Sequence, residues 1–382
     1  MTILSALVKN NARSISRICL QRVLVFTSFA CLVAIWAGCK KDSGNGSNSS
    51  NGTGTNQMVY VLGSQSTVYG FDAVTGNKKW IFQGSTSGIF NGLMASNGVV
   101  YPSIGSTVYA LDALTGTKQW STAGSWSSSV NVTNGMAVGG QGSSVEALDI
   151  TTGKQVWNRF VTGYVLRSPT VANGMAYVID GRNLYAFVAT TGIAEWLTMG
   201  GDTIGFSKPT IANGQVYVHC AGKFNGVMAL DTALGIKKWT ASTGIDTPYS
   251  SPVIAGNTIY SLCLSGNLCA IDMNTRAIKW KTNTGLSYLT NNSAPVVANG
   301  MVYVSANAFD TTTGTLKWSF PIGNSAPAVA NNTLYVTGGN SLYALDATTG
   351  KQQWEFRGDS AVGVGGNPVL ITSSGAVFQQ IF

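Results

Sequence analysis

The chain carries one histidine, His219, and that alone limits the chemistry open to it. A Ser-His-Asp triad would have to be built on this residue, and a multi-histidine zinc site is excluded. His219 and Cys220 would act as a nucleophile pair only if their side chains met. Neighbours on a strand point to opposite faces, so the expectation is a strand-end histidine in polar surroundings beside a small buried cysteine. Cys263 and Cys269 flank Ser265-Gly266-Asn267. A three-residue hairpin loop there would set the two thiols opposite one another, and export would permit a structural disulfide. Seven of the fifteen acids (Asp72, Asp112, Asp149, Asp231, Asp272, Asp310 and Asp346) recur in one short motif. The others, such as Asp180, Glu195, Asp202, Asp246 and Asp359, show no metal-ligand spacing. No catalytic set and no metal site is expected.

The elements that would position these residues follow from composition. Only 10% of the 382 residues are charged, 45% are hydrophobic and 46 are glycine, which excludes a disordered chain and disfavours a helical one. The formal charge of +8 is inflated at the N-terminus. Without Lys9, Arg13, Arg17 and Arg22 the chain has 19 basic and 15 acidic residues, too even a balance for a nucleic-acid-binding surface.

Residues 1–38 read as an export signal: the four basic residues precede the apolar run Val23–Ala37, which ends at Gly38-Cys39. Fifteen residues are short for a membrane span of about 20. The segment resembles a bacterial lipobox, with Trp36 where the pattern prefers Leu, and this implies lipidation at Cys39. Cys19 and Cys31 leave with the signal. Residues 39–57 continue as a Gly/Ser/Asn/Thr leash that holds a domain ~20 Å from its lipid. Lys40 follows the cysteine where Asp would favour inner-membrane retention, so the expected place is the outer membrane, facing the periplasm or the outside.

From Met58 to Phe382 one unit recurs eight times, as in LYALDATTGKQQW ending at Trp354. The other copies end at Trp80, Trp120, Trp157, Trp196, Trp239, Trp280 and Trp318, spaced by 40, 37, 39, 43, 41, 38 and 36 residues, room for four short strands each. An alternating strand leads into a turn with Asp at its start and Gly at its end. Upstream, Asn-Gly pairs such as Asn173-Gly174 mark hairpins, and Pro169, Pro209, Pro252, Pro295, Pro327 and Pro368 open first strands. The expected fold is all-β, an eight-bladed propeller closed by strands from both chain ends. Either Met58–Gly63 or 376–382 is one strand too many for a four-stranded closing blade.

The unit A-L-D-x-x-T-G-x-x-x-W resembles the tryptophan-docking repeat of the pyrroloquinoline-quinone (PQQ) family of propellers. The resemblance implies that each tryptophan packs on the turn of the neighbouring blade. It implies looser turns where Val188 replaces Asp, Leu234 replaces Thr and Arg276 replaces Gly. Alcohol-oxidising members of this family hold PQQ against an adjacent cysteine pair and bind calcium through acidic residues. This chain has no Cys-Cys, so neither PQQ nor calcium is expected and the reading is non-enzymatic.

Binding then falls to the loops between blades, which carry Trp126, Tyr164, Leu166, Arg167, Phe206, Lys208, Tyr249 and Tyr288. An exported lipoprotein with a leash and one such propeller resembles the BamB family, scaffolds of outer-membrane β-barrel assembly. In that family a Leu-Arg element after the third repeat tryptophan docks the BamA-type barrel subunit. Leu166 and Arg167, after Trp157, occupy that place. The resemblance implies a scaffold for envelope proteins. A propeller binding another protein or a glycan is the alternative, and a PQQ-dependent oxidoreductase the third.

Overall fold

The computed structural model describes residues 57–84, 90–200, 207–221, 224–244, 246, 250–286, 294–322, 325–358, 369–371 and 377–378. The signal segment, Cys39 and the leash lie outside the described residues, as do Phe206, Tyr249 and Tyr288. Every regular element described is a strand, and the strands form eight antiparallel sheets, seven of four strands and one of five. The first strand of each sheet touches the first strand of the next all the way round, from Phe90–Ser96 to Val369–Ile371 and back to Phe90–Ser96. The architecture is an eight-bladed propeller with the first strands innermost.

The five-stranded blade closes the ring. Met58–Gly63, Thr67–Asp72 and Lys78–Gln83 come from the N-terminal side, and Val369–Ile371 pairs with Met58–Gly63 as the blade's first strand. Val377–Phe378 pairs on the far side of Val369–Ile371, which makes the C-terminal strand the surplus one.

Each blade is fastened to the next by the repeat tryptophan. Its position opposite a small residue on the third strand, as in Ala147 against Trp157, leaves space for the indole beside a register shift that recurs in every blade. The ring reaches across to the next blade's turn. Trp120 Nε1 donates to Ile150 O at 2.7 Å, Trp157 to Ala189 O at 2.8 Å and Trp196 to Thr232 O at 2.9 Å. Trp354 donates to Ala73 O at 3.2 Å and so joins the last blade to the first. The turn glycine lies against the indole: at Gly192, with φ of 67°, a Cβ would come within 2.6 Å of Trp157. Glycine is required there for both the left-handed backbone and the contact.

The turns that depart from the motif keep its backbone. Gly192 N still donates to Val188 O, Leu234 N to Asp231 Oδ1 and Arg276 N to Asp272 O, so the expected loosening is absent from these bonds. The cost appears in the seam between blade 5 (Gln215–Cys220 and neighbours) and blade 6 (Thr258–Leu262 and neighbours). Arg276 adopts φ of 63° and lies over the Trp239 ring at 5.7 Å. Tyr217 OH is buried there without a hydrogen-bond partner among the described residues, whereas Tyr60, Tyr260, Tyr303 and Tyr335 each donate to the facing turn.

Replacing Trp120 by Ala is expected to cost ~3–5 kcal/mol, read as a fall in the urea midpoint. Trp120→Phe keeps most of the packing and loses one hydrogen bond, about 1 kcal/mol. Equal losses for the two variants would show that the indole N–H, not the ring, carries the joint.

Candidate functional site

Strand direction sorts the loops onto two ends. In the blades built from consecutive strands, the hairpin between first and second strands and the turn between third and fourth lie at one end. The turn between second and third strands and the connection to the next blade lie at the other. Gln57, which leads into Met58–Gly63, enters at the Asp-turn end, where its carbonyl accepts from Ala73 N. The inter-blade connections therefore gather on the end opposite the leash.

Between blade 3 (Asn131–Thr133, Met136–Gln141, Ser144–Asp149, Gln155–Phe160) and blade 4 (Thr170–Ala172, Met175–Ile179, Asn183–Val188, Ala194–Met199) this end holds a cleft of about 300 Å³. Tyr164, Leu166, Arg167, Ile179 and Gly181 line it. The connecting loop is shaped from beneath. Val165 is fully buried and fills the space over Gly140, while its N–H donates to Gly142 O and its carbonyl accepts from Ser127 Oγ. With Val165 pinned inward, Tyr164 and Leu166 turn outward and are 66% and 61% exposed. Arg167 is half-buried, and burial lowers its pKa.

Asp180 holds the loop's other side. Its carboxylate accepts from Thr162 Oγ1 (2.8 Å), Gly163 N (2.9 Å), Tyr185 OH (2.8 Å) and Asn183 N (3.0 Å). Burial alone would raise its pKa, but these four donors together hold it below the ordinary 3.8. A Cβ at Gly163 would fall 2.1 Å from Asp180 O, so the loop can approach only through glycine. Sequence reading passed over Asp180 and Gly163 because neither belongs to the repeat. Their one signal was an acid outside the motif.

Two residues expected on this rim are not on it. Trp126 is buried: it forms a bridge with Gln141 and its ring packs on Gly139 and in the core with Val130. The bare backbone at Gly139 lets the indole fold inward. Lys208 is only 7% exposed, and burial lowers its pKa to about 7. It precedes a first strand at the position where Ser168 and Ser251 stand in their repeats, inside the ring rather than on it.

His219 lies between blades 5 and 6 with Nε2 3.0 Å from Ser261 Oγ. That is nucleophile–base spacing, but both residues are buried, His219 Nδ1 has no partner among the described residues, and burial lowers the imidazole pKa to about 3. Cys220 faces the opposite way, into the apolar layer against blade 4. The hairpin near Cys263 turns one residue earlier than expected. Its loop is Leu264-Ser265-Gly266, Ser261 faces Cys269, and the two cysteines are diagonal neighbours with free thiols. Among the described residues no three His, Cys, Asp or Glu side chains converge on a metal position. With no adjacent cysteine pair either, the residues described do not fit a calcium-held quinone.

The fold and its repeat define a β-propeller of tryptophan-docking blades with a loop-built cleft on one end. The chain belongs to the family described as outer membrane protein assembly factor BamB, which matches residues 105–203, 200–308 and 305–380. No curated protein matches its sequence. Among solved structures it is similar to BamB from Moraxella catarrhalis, with 17% identity, TM-score 0.61, and 76% of this chain and 95% of that one covered. It is also similar to AztD from Citrobacter koseri, with 14% identity, TM-score 0.63 and 85% and 100% covered. Quinohemoprotein alcohol dehydrogenase ADHIIG from Pseudomonas putida shares 14% identity, with TM-score 0.59 and 73% and 68% covered. At these identities the likeness is one of fold.

Asp180→Ala leaves several donors without an acceptor and is expected to cost about 1–3 kcal/mol. It should open residues 162–166 to limited proteolysis; an unchanged digestion pattern would remove Asp180 as the loop's support. Lys208 gives a pH test. Its folded pKa of about 7 lies below its ordinary 10.5, so the unfolded chain binds this proton more tightly. Stability should therefore rise as pH climbs from about 7 towards 10.5. Lys208→Met is expected to raise the urea midpoint at pH 7 and to lose that advantage at alkaline pH. A variant no more stable than wild type at pH 7 would contradict a costly buried ammonium.

Proposed function

We propose that the chain is a non-enzymatic scaffold lipoprotein of the bacterial envelope that holds a BamA-type barrel-assembly subunit on the end bearing the blade 3–blade 4 cleft. One observation carries this reading: Leu166 and Arg167, singled out by position after Trp157, line the described cleft together with Tyr164. An exposed aromatic and an arginine beside a concave surface suit an interface anchor. The surroundings support it. Phe160, which ends the outer strand of blade 3, is 88% exposed, and Met199, at the same place on blade 4, is 80% exposed. Single exposed apolar residues are ordinary, but these two end the outer strands of the two blades between which the cleft lies.

Trp126 and Lys208 play no part in this interface, since both are buried.

The test is affinity purification of the lipoprotein from native envelope beside a Leu166→Ala, Arg167→Glu variant. The barrel-assembly subunit should accompany wild type and fall at least about tenfold with the variant, the loss of one hot spot. Its absence from both would defeat the assembly role, and equal recovery with both would defeat the site.

A further inference from the structure

Cys263 and Cys269 have no place in the cleft, yet the fold brings them together. They sit in the turn between the second and third strands of blade 6, on the same end of the ring as the cleft. Ser261 and Cys269 pair across the hairpin, and Cys263 follows two residues after Ser261 on the same face. Strand twist draws this diagonal together, and the two sulfurs stand 3.7 Å apart. The third described cysteine, Cys220, lies in the other apolar layer of blade 5, so no competing thiol is at hand.

The pair is sealed. Both cysteines are completely buried. Gly266 O accepts from Thr284 N and Thr284 Oγ1, and a Cβ at Gly266 would come within 2.3 Å of Leu286 O, so the segment after the fourth strand covers the turn. Asn267, in the same turn, donates to Asp246 on the connection from blade 5, and Asp246 is paired with Lys281. The turn thus ties three segments together at one point.

We infer that Cys263 and Cys269 form an intrachain disulfide in the exported chain, made before blade 6 packs into the ring, and that this bond locks the turn through which Asn267 grips the blade 5–blade 6 connection. The order follows from access: a thiol must reach its oxidant, and neither sulfur can do so in the closed ring. The two sulfurs share one hydrogen bond in which either can donate, so either can open the exchange.

One cysteine of the pair attacks as its thiolate. It displaces one thiol from an external disulfide, that of an exported dithiol oxidant or of oxidised glutathione, and forms a mixed disulfide. The other cysteine then loses its proton and attacks the sulfur of the first, expelling the second thiol. Two electrons and two protons pass from the cysteine pair to the external disulfide, which leaves as two thiols.

The test uses the full mature chain and needs no partner. Chain isolated from the envelope is denatured and alkylated with iodoacetamide, with and without prior reduction. Without reduction Cys220 should be labelled while Cys263 and Cys269 are not; after reduction all three should be. Labelling of all three without reduction would overturn the bond. In a second arm, reduced chain receives oxidised glutathione either during refolding from urea or after refolding is complete. The disulfide should form only in the first case, and equal formation in both would overturn the proposed order. Reductant should lower the wild-type Tm by a few degrees and leave a Cys263→Ser, Cys269→Ser variant unmoved. A wild-type Tm indifferent to reductant would overturn the locking role. Because none of these readouts involves capture of the barrel subunit, failure here is separable from failure of the scaffold reading.

Discussion

The ring depends on one contact, an indole laid against the turn of the next blade. It joins two unlike energies. The ring removes a large apolar surface from water, and its N–H donates to a carbonyl of that turn. The contact is closed on one side by a glycine in the left-handed region, as at Gly192 under Trp157. Repetition of this joint around the circle lets Trp354 bond Ala73 and turns a row of sheets into a closed body. A sheet alone would leave its faces exposed, and closure supplies each blade with two neighbours.

Where the joint is altered, the strain is confined to one seam. Arg276 keeps the glycine's backbone conformation and offsets its cost by covering the face of Trp239. The same seam contains Tyr217 without its usual acceptor and the buried His219–Ser261 pair. Blade 6 also carries the two neighbouring cysteines on its far turn, in the blade whose docking turn has Arg276 in place of glycine. Ser103 Oγ and Trp126 Nε1 are likewise buried without a partner among the described residues, at blades 2 and 3.

Because the joints occupy the Asp-turn end, the opposite end is left free to vary. The connection after blade 3 uses that freedom: Val165 anchors it, Asp180 gathers its backbone, and Tyr164, Leu166 and Arg167 are presented around a cleft. The same fold serves the quinohemoprotein alcohol dehydrogenase and methanol dehydrogenase to which the chain is similar, so architecture does not choose between binding and catalysis. At the cleft the described residues build an apolar and cationic surface from Tyr164, Leu166 and Arg167.

The sequence by itself determined the blade count, the docking role of the tryptophans and the position of the loop that builds the cleft. The blade count is written in periodicity, since a repeat of 36 to 43 residues ending in tryptophan admits few folds, whereas the docking role and the loop are what the resemblance to the PQQ and BamB families implied. It also separated His219 from Cys220, since alternation along a strand is local. Tertiary structure decided what depends on contact between distant segments. Whether Trp126 and Lys208 face water is set by the bare backbone at Gly139 and by the row of first strands lining the ring, neither visible from either residue's own neighbourhood. The surplus strand was settled by which end pairs with Met58–Gly63, more than three hundred residues away in sequence. Asp180 became a support for the cleft only when four donors from two blades converged on it. Local pattern fixes what each segment can be, and burial, which is collective, fixes what each side chain can touch.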